Sequence, residues 1–185
     1  ATKSGKTVFE KDGGYRRKGE EFDPLEEGAT RELLEICSLC TNASYEKSED
    51  GIVNSTGDPV EVALLAAATN AGLDKKELIE DLPEIREEPF DSDTKMMATF
   101  HRREKNRFYV AVKGAPEEVL KKCEKIRVNG EEESFDEEQK EKWLAENRKL
   151  AEDGLRVLAF ASKDSHSEDA NPYEHLTFVG MAGLL

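Results

Sequence analysis

The chain has 185 residues, enough for one domain with a substantial core. Apolar and charged residues each make up 37% of it, and the net charge is −14. That charge excludes polyanion binding as the main role, because attraction to phosphates drives association with nucleic acids and anionic membrane surfaces alike. It leaves room for a nucleotide, which needs only a few local cations. No stretch approaches the ~18 apolar residues of a membrane span, and no secretory leader opens the sequence.

The N-terminal segment holds a short apolar run, Val8–Phe9, and a Gly13–Gly14 turn, which predict one or two peripheral strands. From Glu26 to Cys40, the apolar residues Leu33, Leu34, Ile36, Cys37 and Cys40 fall on one helical face. Tyr45–Thr56 is polar and turn-rich and reads as a loop. Asp58-Pro59-Val60-Glu61 is a helix start: Asp58 caps, Pro59 takes the first helical position, and Glu61 reaches back as in a capping box. The helix continues through Val62–Ala71, is apolar on most sides, and is expected to be well buried, with Gly72 ending it. Asp74 caps a short amphipathic helix that stops before Pro83.

Glu84–Phe90 is extended. It leads into two alternating runs, Met96–Phe100 and Phe108–Val112, separated by the charged turn His101–Asn106; the pattern predicts a β-hairpin with one buried face. Pro116 opens a helix with acidic residues in its first turn and lysines in its last, as the helix dipole favours. Ile126–Val128 is a short strand running into an Asn129–Gly130 turn. Ser134–Asp153 is a long charged helix whose apolar side comprises Trp143, Leu144, Leu150 and Ala151, terminated by Gly154. Leu155–Ala161 and Leu176–Leu184 are strands joined by a polar loop. Strands and helices mix without a βαβα rhythm, so the expected class is α+β, an antiparallel β-sheet flanked by helices.

Cys37 and Cys40 form a CxxC, but no second CxxC or spaced His pair completes a zinc site; the histidines are His101, His166 and His175. Both cysteines close an apolar helical pattern, so we expect them buried and reduced, in a reducing compartment. There, Asn42-Ala43-Ser44 and Asn54-Ser55-Thr56 match the glycosylation acceptor by chance. The first residue is not Met, and the last strand-like run has no closing turn. We therefore expect residues 1–185 to be one domain excised from a longer protein.

The chemistry gathers at the open end of the hairpin. Phe90 and Lys95 precede its first strand and Lys113–Gly114 follow its second, so antiparallel pairing brings them together. An aromatic face, two ammonium groups and a glycine suit a flat anionic ligand, of which a nucleotide is the obvious case. Each residue also has a plainer reading. Lys113-Gly114-Ala115-Pro116-Glu117 is equally a strand-to-helix turn, Phe90 a core residue, and Glu61 a capping-box acid. Arg156, among Leu155, Val157 and Leu158, needs either a carboxylate or a phosphate. No GxxxxGK[ST], GxGxxG, EF-hand loop or HExxH occurs.

Four segments in order, GDPVEVALL (57–65), PFDSDTKMM (89–97), VKGAPEEVL (112–120) and DGLRVLAFA (153–161), resemble the nucleotide-binding domain of P-type cation-transporting ATPases. The style is that of the calcium-pump and sodium/potassium-pump branch, and the resemblance spans almost the whole chain. It implies that Phe90 stacks on adenine, Lys95 and Met97 line the adenine pocket, and Lys113 and Gly114 form its floor. It further implies that Glu61 lies near the adenine amino group, Arg156 reaches toward the phosphates, and Leu158 packs close to the base. Ser92 departs from calcium pumps that carry arginine there and agrees with sodium/potassium-type pumps.

The family's phosphorylated-aspartate motif DKTGT and its metal-binding GDGxND segment are absent from this sequence. The resemblance thus implies a cytoplasmic domain of an integral membrane protein that binds ATP without forming a phosphoenzyme, with Mg2+ supplied mainly at the phosphorylation domain. The implied partners are ATP and the phosphorylation and actuator domains of the same polypeptide; the fragment itself is expected to be monomeric, without nucleic acid or direct membrane contact. The competing expectation is a non-catalytic acidic module that docks a basic protein.

Overall fold

The computed structural model describes residues 1–3, 5–10, 14–48, 50 and 53–185. Gly13 of the expected glycine turn lies outside them, as do Glu49, Gly51 and Ile52. In chain order the elements are β1 (Val8–Phe9), β2 (Tyr15–Arg17), β3 (Glu20–Glu21), α1 (Gly28–Leu39), β4 (Ser44–Lys47), β5 (Val53–Thr56), α2 (Pro59–Asn70) and α3 (Lys75–Asp81). They continue with β6 (Glu84–Asp91), β7 (Met96–Glu104), β8 (Arg107–Gly114), α4 (Pro116–Lys122), β9 (Cys123–Val128), β10 (Glu131–Ser134), α5 (Glu137–Glu152), β11 (Arg156–Ser165) and β12 (Leu176–Leu184).

A seven-stranded sheet in the order β10-β9-β12-β11-β8-β7-β6 forms the centre. Every pairing in it is antiparallel except β12 with β9. The expected α+β architecture is therefore the observed one. The hairpin strands run longer than the alternating runs, and the tip narrows to Lys105–Asn106, with Asn106 in the left-handed region at φ 59°. Asn tolerates that conformation better than most residues. At the next tight turn both Asn129 and Gly130 have positive φ, as a two-residue hairpin between β9 and β10 requires.

The expectation of one buried face is corrected. Met96–His101 and Phe108–Gly114 are buried throughout, because helices cover both sides of the sheet. Met96, Ala98, Phe100, Val110 and Val112 pack with Val119, Leu120 and Trp143 on the α4–α5 side. Met97, Tyr109, Ala111 and Phe160 pack with Leu33, Ile36, Leu64 and Leu78 on the α1–α3 side. Alternation here sorts residues between two cores rather than between core and water. The ring of Phe100 is fully enclosed, and truncating such a side chain to Ala costs about 3–5 kcal/mol.

Three further expectations change. Tyr45–Thr56 contributes the hairpin β4–β5, with Ser44 opposite Thr56 and Lys47 opposite Val53. Helix α2 is only partly buried, through Leu64, Leu65 and Ala68, because it lies at the margin against α1. Ala151 is exposed on α5, whose inner side instead includes Asn147, bonded to Glu117 at 2.7 Å. A polar tie docks α1: Glu32 accepts from Arg127 Nε at 2.7 Å, Ser162 Oγ at 2.6 Å and Tyr109 Oη at 3.2 Å. Burial, then the Glu32 charge, pushes the Tyr109 hydroxyl well above its usual range. The small sheet β1–β3 is attached by Tyr15, whose hydroxyl donates to Ala67 O at 2.6 Å.

Cys37, Cys40 and Cys123 are free and buried. Desolvation pushes the Cys37 thiol up to about 12 and that of Cys40 up to about 11, which removes the nucleophilic thiolate near neutrality. In the native protein at neutral pH these thiols should resist a disulfide-exchange reagent, and all should react after denaturation. Rapid native labelling of Cys37 or Cys40 would contradict this packing.

Candidate functional site

Four hydrogen bonds build the open end of the β7–β8 hairpin. Asp91 closes β6, and its carboxylate accepts from the amides of Asp93 and Thr94, each at 2.8 Å. Lys95 N then donates to Asp91 O at 2.7 Å, which folds Asp91–Lys95 into a tight turn. Lys95 takes a left-handed φ of 55° and directs its carbonyl to Ala115 N at 3.0 Å. The turn before β7 is thereby fixed to the junction of β8 with α4.

Gly114 permits that closure for a steric reason. A Cβ at this position would lie 2.5 Å from Lys95 O and 2.7 Å from Met96 Cγ. The space beside Gly114 is thus filled by this chain's own backbone. Pro116 then starts α4 with Glu117 and Glu118 in its first turn.

Lys113 is paired with Phe160 on one side and Met97 on the other in the sheet register. Its ammonium forms an ion pair with Glu61, which α2 presents; the side chains are 8% and 17% exposed. Glu61 therefore does not form the expected capping box. Asp58 caps α2 alone, accepting from Val60 N at 2.9 Å, while the second Glu61 oxygen accepts from Asn42 N at 3.3 Å. The carboxylate is pulled away from its own helix end by a lysine and an amide from two other segments.

Phe90 stands 64% exposed within the register irregularity between Glu88 and Asp91. The core reading of this ring is corrected: it is bounded by an exposed turn. Lys95 is exposed, and so is Arg156 at the start of β11; among the described residues neither has a carboxylate at ion-pair distance. The salt bridge expected as one option for Arg156 is not formed. Leu158 is half-buried against the α1–α3 core, and Met97, opposite Lys113 in the sheet register, is 2% exposed. Met97 is thus a support of the surface rather than a side chain open at it.

Glu61, Met97, Lys113, Gly114 and the turn that carries Lys95 are brought together by contacts and register, with Phe90 at the β6 end beside that turn. Arg156 is set apart by four residues along β11 from Phe160, the partner of Lys113, or about 13 Å at strand rise. The residue missed is Asn42. Its side chain donates to Glu87 at 3.0 Å while its amide holds Glu61, and Lys75 clamps the flanking carbonyls of Thr41 and Ala43 at 3.2 and 3.0 Å. The only sequence signal is a polar residue immediately beyond an apolar helix end. Burial of Lys75 lowers its pKa, with Glu84 and Glu61 opposing the shift.

The family described as P-type ATPase, cytoplasmic domain N, matches residues 29–185. The chain belongs to this family. The N domain is 37% identical over 158 residues to calcium-transporting ATPase 1 of Bacillus cereus, covering 84% of this chain and 17% of that protein. It is 31% identical over 191 residues to a calcium-transporting ATPase of Bacillus subtilis, covering 98% of this chain and 21% of that protein. The sodium/potassium-transporting ATPase subunit alpha of Drosophila melanogaster is 30% identical over 197 residues, with coverage of 96% and 19%. The N domain thus spans about a fifth of the length of these relatives. Among its described residues, no helix is long and apolar enough to cross a membrane.

Two predictions concern the closed turn. Gly114→Ala should cost about 1–3 kcal/mol, the usual range for overpacking, and lower the urea midpoint, because a backbone oxygen must move; an unchanged midpoint would refute the close contact. The amides of Thr94 and Asp93 hold the Asp91 carboxyl below the usual carboxylate range. Its depressed folded value means the turn's contribution is full above the ordinary ~3.9 and is lost as pH falls through the lower value. The amide resonances of Asp93 and Thr94 should accordingly titrate with a midpoint below ~3.9, and a midpoint at or above it would refute the arrangement.

Proposed function

We propose that the N domain binds ATP at the open end of the hairpin and presents its γ-phosphate to an aspartate on the phosphorylation domain of an ATP-driven cation pump. One observation carries the reading: an exposed aromatic ring, Phe90, stands at the end of β6 directly before a turn bonded to the strand end that bears Lys113 and its Glu61 partner. The ring supplies a stacking face for adenine, worth about 1–3 kcal/mol per base in comparable systems. Glu61 offers an acceptor to the adenine amino group, and Lys113 lies beside it at the floor with Gly114. Lys95 adds an exposed cation at the pocket's edge, on the turn bonded to Ala115, while Met97 and Leu158 belong to the packed cluster on the α1–α3 side.

The residues fit the nucleotide. Arg156 lies at the far end of β11 with a guanidinium that no carboxylate among the described residues neutralises, so it is available to a phosphate chain extending from the base. Glu61 and Lys113 already neutralise one another, which leaves Lys95 and Arg156 to meet the charge of the triphosphate. ATP brings the phosphoryl group; this domain's part is to bind the base, hold the chain's direction and keep the terminal phosphate outward for an in-line attack. Mg2+ is assigned mainly to the phosphorylation domain. The names of the bacterial relatives favour calcium as the transported cation, although Ser92 follows the sodium/potassium pattern. The isolated domain binds without turnover.

Titration of the domain with ATP, followed by nuclear magnetic resonance, should shift the amides of Phe90, Lys95, Lys113 and Gly114. No perturbation at millimolar ATP would overturn the proposal. Phe90→Ala should weaken binding by roughly ten- to a hundredfold, the loss expected for one stacked base, with the fold intact by circular dichroism. Retention of wild-type affinity by this variant would show that the ring does not hold the base.

A further inference from the structure

The opposite end of the same hairpin carries a second constellation. Residues 101–107 contain Arg102, Arg103, Lys105 and Arg107 against the single acid Glu104, in a chain whose net charge is −14. Arg103 is engaged with Asp164 at 2.9 Å, and Arg107 approaches Glu104 at 4.0 Å. Arg102 and Lys105 are exposed and have no carboxylate at ion-pair distance among the described residues. Both line a cleft of about 570 Å3, together with Asn106, Phe108, His166, Ser167 and Glu168.

The cleft has a built wall. Arg86 on β6 lies over the Phe100 ring and donates to the carbonyls of Glu168 and Ala170 at 2.7 and 3.1 Å. Lys163 holds the other end of this loop through the carbonyls of Asn171 and Glu174. The loop between β11 and β12 is therefore tied down beside the hairpin tip, while Arg102 and Phe108 face one another across the ladder. Two cations are spent on fixing the wall, and two others are left facing outward.

We propose that this cleft docks an acidic segment of a separate protein partner. Its volume falls in the range of binding clefts, but its cations are spread along a hairpin rather than converged on one point, and Glu168 shares the lining. That spacing suits carboxylates carried on successive side chains better than one compact phosphate. The chain as a whole carries a net charge of −14, so association of an acidic segment is favoured only where cations are locally in excess, as they are at this tip. The position is remote from Phe90 and Lys95, about a strand length away, or ~25–30 Å along β7. The docking and the ATP reading therefore stand or fall separately.

Fluorescence anisotropy with a short fluorescein-labelled peptide of alternating Glu and Ser tests it on the 185-residue domain. Binding should weaken steeply with salt and fall at least about tenfold in Arg102→Glu/Lys105→Glu. The charge-matched control Lys3→Glu/Lys122→Glu, at two residues that do not line the cleft, should change it by less than about twofold. Amide shifts in the wild-type domain should cluster at Arg102, Lys105, His166 and Ser167, a readout that needs no variant to fold. Circular dichroism and ATP titration should be unaltered in the reversed variant. Equal losses in both variants, no peptide binding, or shifts elsewhere would overturn the proposal. So would inorganic phosphate displacing the peptide from the cleft at equal concentration. Self-association by sedimentation that disappears on charge reversal would overturn it as well, by assigning the cleft to a second copy.

Discussion

The site depends on one close approach, that of the Lys95 carbonyl to the β8–α4 junction. A hydrogen bond of 3.0 Å to Ala115 N is possible only because residue 114 has no side chain to occupy the space. Through that bond the turn after β6, the end of β8 and the start of α4 become one rigid corner. Phe90 and Lys95 are then positioned relative to Lys113 by backbone geometry, which costs far less disorder than positioning by long side chains alone. The Asp91 carboxylate completes the corner by satisfying two amides within the turn.

The second organising constraint is electrostatic. In so acidic a chain, most cations have a nearby acid, and several are committed: Arg127 to Glu32, Arg86 to Glu88 and two carbonyls, Lys113 to Glu61. Against that background Lys95, Arg156, Arg102 and Lys105, which have no acid at ion-pair distance among the described residues, carry more meaning than they would in a basic protein. Lys95 and Arg156 lie toward the open end of the hairpin, Arg102 and Lys105 at its tip. The Glu61–Lys113 pair differs from these in being nearly buried. Removing either member would leave a poorly solvated charge, so the pair fixes α2 against the sheet as well as shaping the surface.

Much of the fold was legible because its signals are local. Asp58-Pro59, Asp74, Pro116 and Asn129-Gly130 each announce an element boundary through their own backbone and side-chain preferences, and each boundary is present. The errors came where burial depends on distant chain. The β7 and β8 strands looked one-sided because short alternating runs read as core against water, and His101 read as part of the turn; yet His101 is buried between Leu82 O and Thr99 Oγ1, at 3.0 and 2.8 Å, and Lys113 is buried against Glu61. The α2 helix looked buried because alanines dominate it, but alanine suits a margin as well as a core. The β4–β5 segment is polar and turn-rich without apolar alternation, so its cross-strand pairing was not announced by the pattern that marks strands elsewhere.

The sequence by itself determined the α+β class, the capped helices and the coincidence of Phe90, Lys95, Lys113 and Gly114 at one end of a hairpin, since chain order and antiparallel pairing suffice for that. Its four ordered motifs also pointed to the family. Tertiary structure alone decided how Glu61 is used: a capping box and an ion pair with Lys113 are both chemically sound for an acid at that helix position, and only the approach of β8 and Asn42 selects between them. It alone decided that Gly114 makes room for this chain's own carbonyl, that Phe90 is left in solvent, and that Arg156 has no acid at ion-pair distance among the described residues. Such outcomes depend on distances between segments far apart in sequence, and side-chain type does not specify those distances.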